Sequence, residues 1–249
     1  MRLLVTNDDG FLAQGIECLI EAAEPLGEVT VVAPDREQSA TSHSLTLHHP
    51  LHPVRRGERR WQVDGTPTDC VMLALEALMP ERPDFVLSGV NHGQNMGEDV
   101  LYSGTVAAAM EGLAAGIPSV AFSFGSFDLE HLESHRAGLT RLLAGIVAIE
   151  SFPRDTLLNV NLPPIPGDQV KGVRVTHLGS RVFHEEVARM KDPWGRDIYW
   201  IGGGHVTWSG GADSDFRAIG EGFISVTPLH VDMTNYDLLE AARGWGLSG

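Results

Sequence analysis

Short apolar runs alternate with amphipathic segments along residues 1–165. Continuous apolar runs are typical of strands buried on both faces of a parallel sheet, and apolar residues three and four positions apart are typical of helices that cover it. The pattern predicts strands over residues 2–6, 29–33, 85–88, 119–123 and 157–161, and helices over 16–26, 66–79, 103–115 and 132–149. This alternation predicts a Rossmann-like α/β fold, a three-layer sandwich with a mostly parallel sheet.

Two local patterns sharpen this prediction. The strand-like segments 45–54 and 61–63 flank a polar turn at residues 55–58, which predicts a β-hairpin. Thr66-Pro67-Thr68-Asp69 has a hydroxyl at the N-cap position, proline at the first helical position and a carboxylate at the third, so it predicts a capped helix start.

The second part of the chain has a different pattern. Strand-like runs over residues 173–176, 182–187, 198–201 and 205–208 follow one another without helices between them, and Gly202-Gly203-Gly204 separates the last two. A further strand is predicted over 223–227 and a final helix over 236–245. We therefore predict one domain over residues 1–249, with an α/β core (1–165) followed by an extended β-hairpin arm and a C-terminal segment (166–249).

Composition narrows the class of protein. Of the 249 residues, 43% are hydrophobic and 20% are charged, as in ordinary folded proteins. No apolar run approaches the roughly 20 residues that span a bilayer, so no membrane association is expected. Asp8 and Asp9 interrupt the first apolar stretch, which argues against a signal peptide and predicts a cytoplasmic location.

The net charge of −15 argues against binding a nucleic-acid polymer, which requires a basic surface. It also means that an anionic substrate would be repelled unless a local positive centre attracts it. A bound cation or the N-terminus of a helix could provide that centre.

Polar residues follow three of the predicted strands. Asp8 and Asp9 end the first strand, residues 35–39 follow the second, and the glycine-rich segment 89–97 follows the third and leads into Ser103-Gly104-Thr105 at a helix start. Parallel strands bring these loops to one edge of the sheet. Adjacent carboxylates there favour a divalent cation, and the helix start favours phosphate. A solvated Asp-Asp-Gly turn and simple helix capping are the alternatives.

Several familiar signatures are absent. The sequence has no Gly-x-Gly-x-x-Gly after a strand, no Walker A lysine loop, no Gly-x-Ser-x-Gly elbow and no His-Glu-x-x-His. Zinc binding is an alternative role for the histidines at 43, 48, 49 and 52, but their spacing does not require them to converge, and we expect structural or surface roles for the last three. Aromatic residues of the arm could stack on a base, although packing within or between subunits is the simpler interpretation.

The loops together resemble the SurE family (stationary-phase survival protein), whose members are metal-dependent 5′/3′-nucleotidases. The resemblance covers nearly the whole chain. The matching segments are Thr6-Asn7-Asp8-Asp9-Gly10, Ala33-Pro34-Asp35-Arg36 with Ser39, Leu45-Thr46-Leu47, residues 65–71, Ser88-Gly89-Val90-Asn91-x-Gly93-x-Asn95-x-Gly97, Tyr102-Ser103-Gly104-Thr105-Val106, and residues 225–229 with Thr234. One departure is Ala40, where the family usually has glycine.

The resemblance implies a site and an assembly. Asp8, Asp9, Ser39 and Asn91 would hold one divalent metal ion per subunit, Mg²⁺ or Mn²⁺, because all four are oxygen donors. Asn95, Ser103, Gly104 and Thr105 would hold the phosphate. The family also implies a homodimer or homotetramer whose C-terminal segments are exchanged between subunits.

The implied activity is that of a 5′-nucleotidase, a phosphoric monoester hydrolase that releases phosphate from nucleoside monophosphates; exopolyphosphatase activity is a further option. A metal-activated water would attack phosphorus, with Asp8 or Asp9 accepting its proton. Two alternatives remain: an aspartyl-phosphate phosphatase, which the absence of a nearby lysine disfavours, and a non-catalytic nucleotide-sensing module.

Overall fold

The computed structural model describes residues 1–184, 187–201 and 205–246. Its strands are β1 (Arg2–Thr6), β2 (Glu28–Pro34), β3 (Val54–Gly57), β4 (Arg60–Val63), β5 (Phe85–Asn91), β6 (Ser119–Phe124), β7 (Thr156–Leu162), β8 (Val173–Val175), β9 (Ser180–His184), β10 (Val187–Lys191), β11 (Asp197–Ile201), β12 (His205–Ser209) and β13 (Ile224–His230). Its α-helices are α1 (Gln14–Ala23), α2 (Pro67–Leu73), α3 (Gly104–Ala114), α4 (Arg136–Val147), α5 (Asp215–Gly220) and α6 (Leu239–Arg243).

A nine-stranded sheet forms the centre, in the order β3-β4-β2-β1-β5-β6-β7-β13-β8. The strands from β4 to β7 in this order run parallel to one another, whereas β3 and β13 are antiparallel to β4 and β7. The loops that follow β1, β2, β5, β6 and β7 therefore meet at one edge, which is where open α/β sheets bind ligands.

Alternation along β1 explains the three layers. Leu3 and Val5 face a cluster that includes Ile16 of α1 and Leu139 of α4, whereas Leu4 faces the opposite cluster, with α2 and α3. All three β1 side chains are fully buried. The expectation of a mostly parallel sheet with helices on both faces is confirmed.

The capped start of α2 is confirmed. Thr66 Oγ1 accepts a hydrogen bond from Asp69 N (3.1 Å), and Asp69 Oδ2 accepts one from Thr66 N (2.8 Å). The helix continues as a π-helical turn over Ala74–Leu78, so the whole element ends close to the predicted residue 79.

The predicted strand over residues 45–54 is wrong, because strand structure begins only at Val54. Pro50 and Pro53 have no N–H for a ladder. The preceding segment instead binds the start of α2: Thr46 N donates to Asp69 Oδ1 (3.0 Å), and Thr66 Oγ1 donates to the carbonyl of Ser44 (2.8 Å).

The arm consists of two separate antiparallel pairs, β9 with β12 and β10 with β11. The predicted strand 182–187 spans residues 185–186, which lie outside the described residues, as does the glycine segment 202–204. The short helix α5 was not predicted. Every residue of β10 and β11 is exposed, and the final helix is a 3₁₀ turn (Tyr236–Leu238) followed by α6. Across the described ranges, no helix is both long and apolar enough to traverse a bilayer.

Candidate metal and phosphate site

A sharp turn after β1 places both aspartates at the sheet edge. Gly10 has φ +104°, and a Cβ at this position would lie 3.1 Å from the backbone carbon of Arg36, so glycine is required. Gln38 N donates to the carbonyl of Asp8 (2.7 Å), and Phe11 N to that of Pro34 (2.7 Å). These bonds hold the loops after β1 and β2 against each other.

Asp8 is buried against the start of α3. Its Oδ2 accepts a hydrogen bond from Thr105 N (3.0 Å), and its Oδ1 accepts a short hydrogen bond from the Thr105 hydroxyl. Gly104 allows this approach, because a Cβ there would lie 2.9 Å from Asp8 Cβ. Both hydrogen-bond donors of Thr105, its N–H and its hydroxyl, are therefore occupied by Asp8, and the phosphate contact predicted for Thr105 would require one of these bonds to break.

Asp9 lies beside the loop that follows β5. Its Oδ2 accepts a hydrogen bond from His92 N (3.0 Å), whereas its Oδ1 lies 3.7 Å from His92 Nδ1. Burial lowers the pKa of His92, so at neutral pH this imidazole brings no positive charge to the carboxylate.

Burial disfavours the charged form of both carboxyl groups. Burial raises the pKa of Asp8 to about 6; the hydrogen bond from the Thr105 hydroxyl opposes this rise and the charge of Asp9 adds to it. Burial likewise raises the pKa of Asp9 to about 6. Among residues 1–184, 187–201 and 205–246, no lysine or arginine forms an ion pair with either group. A cation with a preference for oxygen fits this pair.

The other two predicted ligands lie on neighbouring loops. Asn91 ends β5, and its Nδ2 donates to the carbonyl of Gly93 (2.8 Å). This hydrogen bond orients the side-chain amide of Asn91. Ser39 follows β2, and its hydroxyl donates to Glu37 Oε1 (2.6 Å). The described part of the chain contains no cluster of three or more His, Cys, Asp or Glu side chains that could hold a metal. Two carboxylates, an amide and a hydroxyl are a donor set typical of Mg²⁺ or Mn²⁺.

The phosphate seat predicted at the start of α3 is a capped helix N-terminus. Ser103 is the N-cap residue, and its Oγ accepts a hydrogen bond from Val106 N (3.1 Å). Helix α3 spans eleven residues, and Thr105 N in its first turn donates to Asp8, so the positive end of the helix dipole faces Asp8 and its surroundings. Ser103 thus caps the helix, and its hydroxyl hydrogen has no acceptor in the part of the chain that the structure describes, so it can be donated to an anion.

Asn95 belongs to a buried network that sequence reasoning missed. Its Nδ2 donates to Ser123 Oγ (2.8 Å), its N donates to Asn161 Oδ1 (2.9 Å), and its carbonyl accepts from Asn159 Nδ2 (2.8 Å) and Asn161 Nδ2 (3.0 Å). Two asparagines two positions apart in a buried strand could have revealed this network, because they share one face of β7.

Similarity to known proteins agrees with this arrangement. The family model described as "Survival protein SurE" matches residues 3–185. The chain belongs to the SurE family. The 5′-nucleotidase SurE of Gemmatimonas aurantiaca is 66% identical over 98% of both chains, and that of Geotalea uraniireducens is 47% identical over 100% of both. The crystal structure of the SurE protein from Aquifex aeolicus superposes with a TM-score of 0.87 at 40% identity, covering 98% of this chain and 99% of that one.

Two further residues connect this SurE core to the arm and were also missed. The buried carboxylate of Asp215 accepts hydrogen bonds from Gly97 N (2.9 Å) and Gly179 N (2.9 Å). Arg181 N donates to Glu98 Oε2 (2.5 Å), and the Arg181 guanidinium pairs with Asp99. Asp215 and Arg181 therefore fix the far end of the loop that carries Asn91 and Asn95.

The histidines at 43–52 do not form a joint site in this SurE protein. His43 pairs with Glu111 of α3 (2.9 Å), His52 pairs with Asp64 (2.8 Å), and His49 Nδ1 lies 3.1 Å from the carbonyl of Pro50. Structural and surface roles explain these contacts, and zinc binding by the cluster is not supported.

Proposed function

We propose that this protein is a metal-dependent 5′-nucleotidase that hydrolyses nucleoside monophosphates to nucleosides and phosphate. The observation that carries the proposal is the pair of adjacent carboxylates beside the N-terminus of α3, a buried Asp8 and a partly buried Asp9, which have no lysine or arginine partner among residues 1–184, 187–201 and 205–246. The names of its SurE relatives support the same activity. A divalent cation held by Asp8 and Asp9 would give this acidic protein the positive centre that an anionic substrate needs.

Asp8, Asp9, Ser39 and Asn91 would hold one divalent ion, Mg²⁺ or Mn²⁺. When bound, that ion neutralises phosphate charge and makes a coordinated water more acidic. Thr105 keeps the carboxylate of Asp8 turned towards the site through its two hydrogen bonds. Ser103 donates its hydroxyl hydrogen to a phosphate oxygen, assisted by the dipole of α3. Asn95 Nδ2 donates one hydrogen to Ser123 Oγ and its other hydrogen to the phosphate.

Asp9 is better placed than Asp8 to accept the proton of the attacking water. Both oxygens of Asp8 already accept hydrogen bonds from Thr105, whereas Asp9 Oδ1, as far as the described ranges extend, has only the longer contact with His92 at 3.7 Å. A general base needs a lone pair that faces the reacting water. We therefore assign the proton transfer to Asp9 and a binding role to Asp8.

A homodimer or homotetramer completes the proposal. Apolar side chains are exposed on β10 and β11, including Trp200 (64%) and Ile201 (91%), and in the C-terminal segment, including Met233 (91%) and Trp245 (58%). Such surface is costly in water unless another chain covers it. Exchange of the C-terminal segments between subunits would cover it, and sedimentation of the purified protein tests this. The cytoplasmic location stays a prediction from the sequence.

One substrate panel tests the activity. Purified protein treated with a chelator should release no phosphate from adenosine 5′-monophosphate, and activity should return with Mg²⁺ or Mn²⁺. Phosphate release that persists in chelator would contradict metal dependence. Single turnover in H₂¹⁸O should place the label in phosphate; an isolable phosphoenzyme would instead favour the aspartyl-phosphate mechanism, and binding without turnover would favour a sensing module.

A further inference from the structure

An exposed aromatic side chain lies at the sheet edge that carries the candidate site. Phe127 follows β6, the direct neighbour of β5 in the sheet, so its loop and the loop after Asn91 emerge on the same side. Its side chain is 83% exposed and belongs to none of the three apolar clusters that the described residues form. Hydrophobic packing within one subunit therefore does not account for an aromatic residue here.

The ring of Phe127 lies against Gly93. Gly93 is buried and has φ +109°, and a Cβ on it would lie 3.0 Å from Phe127 Cε1 and 3.1 Å from Cζ. The carbonyl of Gly93 accepts the hydrogen bond that orients Asn91. The edge of the ring thus rests on the backbone that positions a predicted metal ligand, while most of its surface faces solvent.

A flat apolar surface at the sheet edge that carries the candidate phosphate seat fits the base of a nucleotide. Bases stack on aromatic side chains through their π-faces, and this contact tolerates different bases because every base has such a face. Phe127 has no donor or acceptor with which to read a base edge. Stacking on it would favour phosphates that carry a base without selecting one base strongly.

We propose that Phe127 is a specificity-determining residue that stacks on the base of the nucleoside monophosphate and so makes nucleotides better substrates than base-free phosphomonoesters. The inference rests on the proposed nucleotidase activity and adds to it the residue that recognises the nucleoside. Tyr102, 61% exposed beside Ser103, is the competing aromatic at the same edge.

Two substrates that share the sugar phosphate separate recognition from chemistry. Adenosine 5′-monophosphate and ribose 5-phosphate differ by the base alone. In Phe127→Ala we expect KM for the nucleotide to rise roughly tenfold, within the range of base–aromatic stacking, whereas kcat/KM for ribose 5-phosphate stays unchanged. Phe127→Tyr should retain the nucleotide preference, because its ring can still stack. Ile149→Ala, which truncates an exposed apolar side chain near the opposite sheet edge, is the control.

Three outcomes would overturn the proposal. Equal losses for both substrates in Phe127→Ala would mean that the ring only supports the Gly93 loop. Unchanged kinetics for both would mean that it has no role. A nucleotide-specific loss in Tyr102→Ala alone would assign base recognition to Tyr102. If the unmodified protein with Mn²⁺ hydrolyses neither substrate, the proposed nucleotidase function fails instead, so the two failures are distinguishable.

Discussion

Thr105 donates both its backbone N–H and its hydroxyl to the carboxylate of Asp8. Any residue other than proline at this position can donate the first bond, whereas the second bond requires the hydroxyl of the side chain. Hydrogen bonds to charged groups contribute about 1.5–3 kcal/mol. We therefore expect Thr105→Val to lower kcat/KM for a nucleotide by at least roughly tenfold, since Asp8 loses one of the bonds that orient it.

Thr105→Ser is the matched control because it keeps the hydroxyl. It should retain most of the activity, and thermal unfolding should show that both variants fold. If Thr105→Val and Thr105→Ser have equal activity, the hydroxyl does not orient Asp8.

Asp8 and Asp9 should differ when metal is supplied in excess. Asp8→Asn weakens metal binding, so its turnover should recover at high Mn²⁺ concentration. Asp9→Asn also removes the proton acceptor, and loss of a general base lowers rates by about 10²–10⁴-fold, so its turnover should stay low. Rates measured across a Mn²⁺ titration test the assignment, which recovery of Asp9→Asn alone would reverse.

The stability of the metal-free protein should decrease with rising pH. The pKa values of Asp8 and Asp9 are raised by burial from 3.8 to about 6 in the folded chain. The folded state therefore binds more protons than the unfolded state between pH 4 and pH 6, and the free energy of unfolding falls across that window. Urea unfolding in chelator at pH 5 and pH 7.5 tests this, and Asp8→Asn should reduce the difference. A higher stability at pH 7.5 would contradict it.

Asp215→Asn should destabilise the loop that carries Asn91 and Asn95. An amide can accept at one oxygen only, so its NH₂ would face Gly97 N–H or Gly179 N–H in a buried position. A buried unsatisfied donor costs about 2 kcal/mol. Urea unfolding should show this loss together with lower activity. Asp213→Asn is the control, because Asp213 is exposed and should tolerate the change; equal stability of both variants would refute the role of Asp215.

Ala40→Gly should stabilise the loop that carries Ser39. Ala40 has φ +57°, a left-handed conformation that costs a residue with a Cβ about 1–2 kcal/mol and glycine little. The gain is offset in part because glycine is more flexible in the unfolded chain. We expect a net increase of up to ~1 kcal/mol in the free energy of unfolding. A decrease would show that the loop does not need this conformation in solution.

The parallel core was predictable from the sequence because its strands are buried on both faces. A continuous apolar run such as the one around Leu4 is visible within a few residues and predicts a strand buried on both faces. The capping box at Thr66 is equally local and predicts the start of α2. The segment 45–53 was predicted wrongly because its backbone binds Asp69, a partner distant in sequence, and propensity alone does not contain that contact.

The predicted site residues gather at one edge, but their partners were not predictable. Nothing near Asp8 indicates that Thr105 holds it, and nothing near Gly97 indicates Asp215. Such pairs depend on the order of strands in the sheet, which a single sequence does not specify. The ligand and phosphate assignments themselves remain predictions, which the variants above test.

The connectivity of the site has a consequence for refolding. Asp8 and Thr105 are 97 residues apart, Asp9 and His92 are 83 apart, and Asn95 and Asn161 are 66 apart. Contacts of such high sequence separation form slowly, because long loops must close first. After dilution from denaturant, helical circular dichroism should return before phosphate release does. Catalytic activity would thus be among the last properties that the refolding chain regains.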